Sequence, residues 1–390
     1  MTNKRNVLFS LVFVMLLFQA CQESPTQVGK VDDSNLVNQQ TQGPDRVAND
    51  PPFIGDDDDT CFENPNDLLD VILDCEDPGG GGPGSGGTTS NINMMYLNQG
   101  VSNQDLYYSI NTVSFSNPSQ ISWSGNVETP NTARPQLGPT GVFFNGRVYA
   151  FYQKCCFESN DIWFSSTSIS SINWTNDTQL PVANGAVTTG SPAAIVYNGV
   201  IYVFFANNDG TEFRYTTSTN GTTWSNSASI PNNSDLVENP YPVVYNNQLH
   251  LFYTKVDTLS NGFRITDLVS VNSTNGSTWT INTASTPGSF EGTPVVLGNQ
   301  LHLIYMDGSN NLRSTSTTNV TTWSSSVPIL SAKTQVRPTA IVKNGYIILL
   351  YKGATQNNIH MAYSNNGTTW FGNTHVPGQT QNAPYIVLTE

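Results

Sequence analysis

Residues 192–205 read PAAIVYNGVIYVFF, in which a proline precedes two apolar runs that are joined by Asn198-Gly199. An Asn-Gly pair between apolar runs is a strong signal for a β-hairpin with a tight turn. A third run of alternating character follows at 213–217, and Trp224 comes shortly after it. This stretch therefore predicts a unit of short antiparallel strands.

The same pattern recurs along the chain. A proline followed by two apolar runs around a turn appears again near 240–253 and 338–351. Six of the seven tryptophans recur 44 to 55 residues apart, at Trp123, Trp174, Trp224, Trp279, Trp323 and Trp370. Four-stranded repeats of about 40–50 residues are typical of a β-propeller.

The two ends of the repeat region predict how the ring closes. The first unit, near 92–128, lacks the proline and the opening apolar run, whereas the last segment, 383–388, consists only of them. The C-terminal strand would therefore complete the first blade and remove free sheet edges. The prediction is an all-β fold: a six-bladed β-propeller over residues 91–390, closed by the C-terminal strand.

Three of the repeats share a turn motif. Residues 218–224 read STNGTTW, residues 273–279 read STNGSTW, and residues 364–370 read SNNGTTW. They resemble the Asp box of sialidase-like β-propellers, Ser-x-Asp-x-Gly-x-Thr-Trp, in which the residue between Asp and Gly is an optional spacer; here Asn replaces Asp and the spacer is missing. Either side chain can accept hydrogen bonds from the backbone of a turn. A fourth copy, at 317–323, has Val320 in place of the glycine.

The resemblance covers about residues 92–390. It implies that the boxes form turns between the third and fourth strands, away from the usual ligand face, and that their tryptophans pack between blades. The boxes are therefore expected to be structural, because a shared fold does not by itself imply a shared function.

The first 90 residues differ from the rest. Lys4 and Arg5 precede an apolar run from Val7 to Phe18, which predicts a secretory signal over 1–20. The next cysteine, Cys21, resembles the acylated cysteine of bacterial lipoproteins and implies a lipid anchor; a plain signal peptide is the alternative. Residues 21–90 contain Asp56–Asp59 and a glycine-rich segment, and predict a disordered, acidic linker. Calcium binding by the aspartates is the alternative.

The other four cysteines are Cys61, Cys75, Cys155 and Cys156, which allow three disulfide pairings in an exported protein. Cys61 and Cys75 are the easiest pair to close, and structural roles are expected for all four. The spacing of a metal site is absent and histidine is scarce, so neither a metal nor another cofactor is expected.

The charge excludes one class of function. The chain has a formal net charge of −14, of which residues 1–90 contribute −11 (15 acidic, 4 basic) and residues 91–390 contribute −3 (14 acidic, 11 basic). Nucleic-acid binding requires a basic surface, which this chain lacks. The propeller itself is nearly neutral and poor in charge.

Most of the charge in the propeller falls in loops that enter the innermost strands or join the second and third strands, where propellers usually bind ligands. Glu238 and Glu291 occupy the start of two successive units. Glycoside hydrolysis requires a pair of carboxylates across the sugar. These two residues are therefore the catalytic candidates if the chain is a hydrolase.

Other side chains are candidates for sugar binding. Arg134, Arg264 and Arg337 would supply three guanidinium groups for a sugar carboxylate, as in a sialidase. Trp163 lies outside the tryptophan series and is a candidate for stacking on a sugar; packing between blades is its alternative role. His250 and His302 recur at equivalent positions, which is more typical of structural residues than of a metal pair.

The sequence favours a surface-anchored, lectin-like and non-catalytic carbohydrate-binding propeller. A sialidase-like glycoside hydrolase is the alternative, and a protein-binding scaffold is the third hypothesis. The expected partners are glycans or glycoconjugates and, through Cys21, the membrane. The chain is expected to be a monomer in a bacterial cell envelope, at the outer membrane or cell surface. Convergent acids or arginines would favour the hydrolase, and equivalent aromatic and polar pockets between blades would favour the lectin.

Overall fold

A computed structural model describes residues 91–97, 106–111, 118–121, 123, 127–128, 138–154, 161–169, 173–181, 188, 190–231, 236–258, 264–282 and 290–389. The expected signal segment, the linker and all five cysteines lie outside these residues. Within the described ranges, no helix has the length and apolar composition needed to cross a membrane.

The described residues form 24 β-strands and a short 3-10 turn at Pro118–Gln120. The first twelve strands are β1 Asn91–Leu97, β2 Leu106–Asn111, β3 Val127–Glu128, β4 Thr140–Phe144, β5 Arg147–Gln153, β6 Ile162–Ser168, β7 Thr178–Gln179, β8 Ala193–Tyr197, β9 Val200–Ala206, β10 Phe213–Ser218, β11 Ala228–Ile230 and β12 Leu236–Tyr245. The others are β13 Gln248–Thr258, β14 Arg264–Ser273, β15 Thr280–Asn282, β16 Phe290–Leu297, β17 Gln300–Met306, β18 Asn311–Thr317, β19 Val327–Lys333, β20 Thr339–Lys343, β21 Tyr346–Lys352, β22 Asn358–Ser364, β23 Phe371–Gln379 and β24 Tyr385–Thr389.

The strands form six four-stranded antiparallel sheets, which are the blades. Blade 1 has the order β24-β1-β2-β3, and blades 2 to 6 are β4–β7, β8–β11, β12–β15, β16–β19 and β20–β23. The innermost strands contact one another around the ring in the order β24, β4, β8, β12, β16, β20 and back to β24. The prediction of a six-bladed β-propeller is confirmed.

The C-terminal strand completes blade 1, as the sequence predicts. β24 pairs with β1 from Asn91 opposite Thr389 to Met95 opposite Tyr385. The side-chain amide of Asn93 donates a hydrogen bond of 3.3 Å to Oγ1 of Thr389. The first and last strands of the propeller are therefore joined in one sheet, which closes the ring.

The Asn-Gly pairs form the turns between the first and second strands of their blades. Asn198 and Gly199 have φ angles of 50° and 71°, and Asn344 and Gly345 have 50° and 75°. Two successive residues with positive φ are the mark of a type I′ turn, whose twist matches that of the flanking strands. The tight hairpins therefore follow directly from the local sequence.

The box motif forms a turn between the third and fourth strands. In the 218–224 copy, Oδ1 of Asn220 accepts hydrogen bonds from the backbone N–H groups of Thr222 (2.9 Å) and Thr223 (2.8 Å). Oγ of Ser218 accepts one from the N–H of Gly221 at 2.8 Å. Asn275, Asn319 and Asn366 accept the equivalent pairs of bonds. The bonds to the asparagine need only an acceptor oxygen, so asparagine can replace the aspartate of the Asp box.

The tryptophans pack on the preceding blade. Trp224 of blade 3 lies edge-on to Phe151 of blade 2, with the ring centroids 5.5 Å apart. Trp279 of blade 4 meets Phe204 of blade 3 in the same way, at 5.7 Å. Burying large aromatic rings between neighbouring sheets removes apolar surface from water and joins the blades.

Candidate functional site

A cavity of about 380 Å³ lies where the segments that enter the innermost strands meet, at one end of the central channel. Blades 1, 2 and 3 contribute mainly small residues to its lining, whereas blades 4, 5 and 6 contribute charged and amide side chains. We call this space the channel-mouth cavity. Its lining residues are Gly138, Gly190, Ser191, Ala206, Val237, Glu238, Asn239, Pro240, Glu291, Val336, Arg337, Asn382 and Ala383.

Two β-bulges position the acidic residues of this cavity. The pairing of β12 with β13 shifts between Glu238 and Tyr241, and Asn239 adopts a left-handed conformation with φ of 55°. The pairing of β16 with β17 shifts between Phe290 and Gly292, so Glu291 is the residue without a cross-strand partner. Bulges redirect side chains and are common beside functional sites.

Glu291 is half-buried and only partly satisfied. Its Oε1 accepts a hydrogen bond of 3.1 Å from the side-chain amide of Asn239. Its Oε2 is buried and has no hydrogen-bond partner among the described residues. Burial raises the pKa of Glu291 from 4.5 to about 7, and the nearby charge of Glu238 acts in the same direction, while Arg337 and Asn239 oppose it. Glu238 itself is exposed.

Arg337 is the cation of the cavity, and only 7% of its surface is exposed. Its Nη1 donates to the carbonyl oxygen of Pro240 at 3.5 Å, whereas Nη2 is buried and has no hydrogen-bond partner in the described part of the chain. The guanidinium carbon lies 5.5 Å from the ring centre of Tyr241 and 6.0 Å from that of Tyr385. Cation–π contacts of this kind hold the guanidinium group in place.

Tyr241 lies between the two charged groups. Its hydroxyl is buried and lies next to the backbone of Gly292, whose hydrogen bond acts to lower the pKa of Tyr241. Burial raises the pKa of Tyr241 far above its usual value, and Glu291 raises it further. The hydroxyl therefore remains protonated and can donate a hydrogen bond.

The structure brings three of the predicted site residues together: Glu238, Glu291 and Arg337 all line the channel-mouth cavity. Arg134 lies outside the described residues, and Arg264 begins β14 with a side chain that is outside the described part. Of the three arginines that were expected to converge, only Arg337 has a described side chain, so their convergence stays a prediction.

Trp163 lies elsewhere. It is half-buried in β6, packs against the core shared by blades 1 and 2, and has the Nζ of Lys154 4.1 Å from its ring centre. Lys154 is also ion-paired with Asp177. Trp163 is not among the residues that line the channel-mouth cavity.

Three ion pairs form within single blades, in the loops between the second and third strands and at the adjoining strand ends. Arg214 meets Glu212 at 2.6 Å, Lys255 meets Asp257 at 2.8 Å, and Arg313 meets Asp307 at 3.4 Å. Exposed pairs of this kind contribute little to stability. The channel mouth differs because its unpaired buried atoms include a carboxyl oxygen of Glu291 and a guanidinium nitrogen of Arg337, whereas the other such atoms in the described residues belong to Trp, Tyr, His, Ser and Thr side chains.

Two residues of the site are absent from the sequence analysis. Asn239 holds one oxygen of Glu291, and Tyr241 lies beneath Arg337. Both belong to the segment ENPYP at 238–242, in which two prolines fall inside one strand. Proline in a strand interior is a signal for a bulge or an edge strand, and that signal identifies this segment.

The described residues offer no cluster of three or more His, Cys, Asp or Glu side chains that could hold a metal ion. His250 and His302 are both buried, and burial lowers the pKa of each. His302 of blade 5 lies directly against Gly367 in the box turn of blade 6. This contact gives His302 a structural role between blades.

No protein-family model and no curated protein sequence matches the chain. Solved structures do match it. The Hadza microbial sialidase superposes with a TM-score of 0.51 at 14% identity, over 70% of this chain and 66% of that one. AofleA from Arthrobotrys oligospora superposes with a TM-score of 0.53 at 12% identity, over 79% of this chain and 95% of that one.

A third match is the Aleuria aurantia lectin in complex with Fucalpha1-6GlcNAc. It has a TM-score of 0.54 at 13% identity, over 75% of this chain and 97% of that one. The chain thus spans about two thirds of the sialidase and nearly all of the lectin. It is a six-bladed β-propeller with the fold of sialidase-like propellers and propeller lectins, which is the fold that its repeated box motif predicts.

Proposed function

We propose that this chain is a carbohydrate-binding β-propeller and that the channel-mouth cavity is its binding site. One observation carries the proposal: Oε2 of Glu291 and Nη2 of Arg337 are buried without a hydrogen-bond partner in the described structure, and both side chains line an open cavity. Leaving a buried polar group unpaired costs about 1–3 kcal/mol, more when the group is charged. A ligand that pairs with these atoms removes that cost.

The size and chemistry of the cavity suit a sugar. A volume of about 380 Å³ is at the lower end of the range for small-molecule sites. Its amide, carboxyl and guanidinium groups are planar, and each can bond to neighbouring hydroxyls. Two proteins with this fold, a sialidase and a lectin in complex with a fucose-containing disaccharide, support the same ligand class.

A glycoside hydrolase is the second candidate, and the unequal environments of the two acids favour it. Glu291 is half-buried with a pKa raised to about 7, whereas Glu238 is exposed. A protonated Glu291 could donate its proton to the glycosidic oxygen while the exposed Glu238 attacks the sugar or activates water. Of the three arginines expected for a sialidase, Arg337 supports this candidate.

The anchoring of the protein belongs to the same proposal. A signal over 1–20 and acylation of Cys21 would attach the propeller to a bacterial envelope membrane through the acidic linker at 21–90. Such a tether would hold the cavity away from the membrane. The cavity could then bind environmental or surface glycans.

Filling the cavity tests where the sugar binds. A Cβ atom added at Gly190 meets no atom within 4 Å, so this position accepts a larger side chain without disturbing the core. We expect Gly190→Tyr to abolish glycan-array binding by the full chain, and Gly190→Ala, the matched control, to preserve it. Unchanged binding by a folded Gly190→Tyr variant would exclude the cavity as the site.

A second experiment separates lectin from hydrolase. The wild type is incubated with each sugar that binds, beside Glu238→Gln and Glu291→Gln, and the reaction products are separated by chromatography. Intact sugars from all three proteins support the lectin. Shorter products from the wild type alone, with array signals that rise when an acid is removed, support the hydrolase. If the folded protein binds no sugar on the array, both the lectin and the hydrolase are contradicted, and the protein-binding scaffold is favoured.

A further inference from the structure

The three charged side chains that line the channel-mouth cavity are two carboxyls and one guanidinium, those of Glu238, Glu291 and Arg337. When both carboxyls are ionised, this set has an excess of one negative charge. The remaining polar lining consists of Asn239, Ser191, Asn382 and backbone groups, which carry no charge. The described lining is therefore suited to a ligand that is neutral or cationic.

The unpaired atoms specify the ligand more closely. Oε2 of Glu291 is an acceptor without a donor, and Nη2 of Arg337 is a donor without an acceptor. The two side chains come from adjacent blades, 5 and 6, and the charge of Arg337 is close enough to lower the pKa of Glu291. A ligand that satisfies both needs a donor for Oε2 of Glu291 and an acceptor for Nη2 of Arg337.

We propose that the channel-mouth cavity binds amino sugars, with a free ammonium group on Oε2 of Glu291 and a neighbouring hydroxyl oxygen on Nη2 of Arg337. This inference rests on the proposed carbohydrate-binding function and names the class of sugar. A buried carboxylate is stabilised most by a charged, hydrogen-bonded partner. The amine of a 2-amino sugar lies beside the hydroxyl of the next carbon, which provides the required pair.

The other sugar classes satisfy this lining less well. A uronic or sialic acid would bring a third carboxylate towards Glu238 and Glu291, and like charges at short distance repel. An N-acetylated sugar presents a neutral amide, which leaves the charge of an ionised Glu291 uncompensated. Only the free amine neutralises the excess charge of the two acids.

The titration of Glu291 supports the same pairing. Its pKa is about 7 in the free protein, set by burial and by Glu238, against the opposing effects of Arg337 and Asn239. An ammonium group beside Oε2 would favour the ionised form, so binding near pH 6 would release a proton. Calorimetry in buffers of different ionisation enthalpy would detect that proton.

The test compares sugars of equal length by isothermal titration calorimetry with the full chain. The probes are glucosamine and galactosamine oligosaccharides, their N-acetylated forms, and oligogalacturonates. We expect an amino sugar to bind at least about tenfold tighter than its N-acetylated form, a difference of about 1.4 kcal/mol, because the N-acetylated form loses a buried charged hydrogen bond. Oligogalacturonates should bind most weakly.

Variants assign the preference to Glu291. Glu291→Gln should lower the ratio of amino-sugar to N-acetyl-sugar affinity to about one, because Gln keeps the shape and loses the charge. Glu212→Gln is the matched control: its carboxylate pairs with Arg214 away from the cavity, and the preference should remain. Melting curves establish that both variants are folded.

Three outcomes would overturn this inference and leave the proposed function intact: equal affinity for amino and N-acetylated sugars, a preference for oligogalacturonates, or an amino-sugar preference that survives Glu291→Gln. Binding on the glycan array with no affinity for any amino sugar would do the same. If no sugar binds, either on the array or in calorimetry, the proposed carbohydrate-binding function itself would be overturned.

Discussion

The surroundings of Glu291 determine both the position and the pKa of its side chain. A bulge turns its side chain into the cavity, Asn239 fixes one of its oxygens, and the other oxygen is buried without a partner in the described structure. Each feature alone would be unremarkable in a folded protein. Together they raise the pKa to about 7, so that the neutral and ionised forms are both populated near pH 7, because the charged form lacks water and a direct cation.

The titration of Glu291 predicts how stability depends on pH. Its pKa is 4.5 when unperturbed and about 7 in the folded chain, so the fold binds this proton more tightly than the unfolded chain does. Its contribution is complete below about pH 4.5 and is lost as the pH rises through 7, by up to about 3 kcal/mol. We expect Glu291→Gln to remove this loss.

The measurement is urea unfolding of the wild type and Glu291→Gln between pH 4.5 and pH 8.5. As the pH rises, the unfolding free energy of the wild type should fall relative to that of Glu291→Gln. Glu212→Gln serves as a control, because hydrogen bonds from Ser229 and Arg214 lower the pKa of Glu212. Parallel pH profiles for the wild type and Glu291→Gln would show that Glu291 titrates normally.

At the scale of the element, the box turn is a connector between blades. Its backbone is held by the serine and asparagine side chains, and its glycine faces the preceding blade. The glycines of three boxes lie against the ring of a second-strand residue: Gly221 against Tyr149, Gly276 against Tyr202 and Gly367 against His302. The fourth copy has Val320, which is buried and adopts φ of 64°, a left-handed conformation that is unusual for a β-branched residue.

This contact predicts the effect of a methyl group at Gly221. Gly221 has φ of 75°, and an added Cβ would lie 2.2 Å from the hydroxyl oxygen of Tyr149. Gly221→Ala should lower the unfolding free energy by about 2–4 kcal/mol, from backbone strain and overpacking together. Gly199→Ala is the matched control, since its φ is 71° but its Cβ would meet nothing within 4 Å.

Chemical denaturation of both variants measures the difference. Gly199→Ala should lose only the backbone part, about 1–2 kcal/mol. Equal losses in the two variants would mean that Tyr149 moves aside at little cost and that the box glycine is needed only for its backbone conformation.

At the scale of the whole molecule, closure of the ring determines both stability and site. The sheet that joins β24 to β1 links residues nearly 300 positions apart in sequence, as in the Asn93–Thr389 hydrogen bond. The channel-mouth cavity takes lining residues from all six blades, so it exists only when the ring is closed. The same closure leaves β1 without a free edge.

Removal of residues 384–390 tests this dependence. The deletion takes away β24, exposes the edge of β1 and breaks the contacts of β24 with β4 and β20. We expect aggregation on size-exclusion chromatography and loss of a single cooperative melting transition, because an exposed edge strand recruits other chains. Deleting residue 390 alone, which follows β24, is the control and should leave the protein unchanged. A monomer that melts as the wild type does would show that closure is dispensable.

The sequence alone determined the propeller. The turns at Asn198-Gly199 and Asn344-Gly345, the recurring tryptophans and the unmatched ends of the repeat are local or periodic signals. Each reflects interactions of residues close in the chain or of equivalent residues in successive units. The number of blades and the closing strand follow from them without any knowledge of side-chain packing, and the structure confirms both.

The site depended on the tertiary structure. The repeat spacing paired Glu238 with Glu291, but it did not indicate that Arg337, rather than Trp163, Arg134 or Arg264, would join them. The ring decides this, because it brings residues about 50 positions apart to one cavity and leaves Trp163 among the blades. The raised pKa of Glu291 and the unpaired atoms beside it arise from burial in that ring, and burial is a property of the folded molecule and not of any one stretch of its sequence.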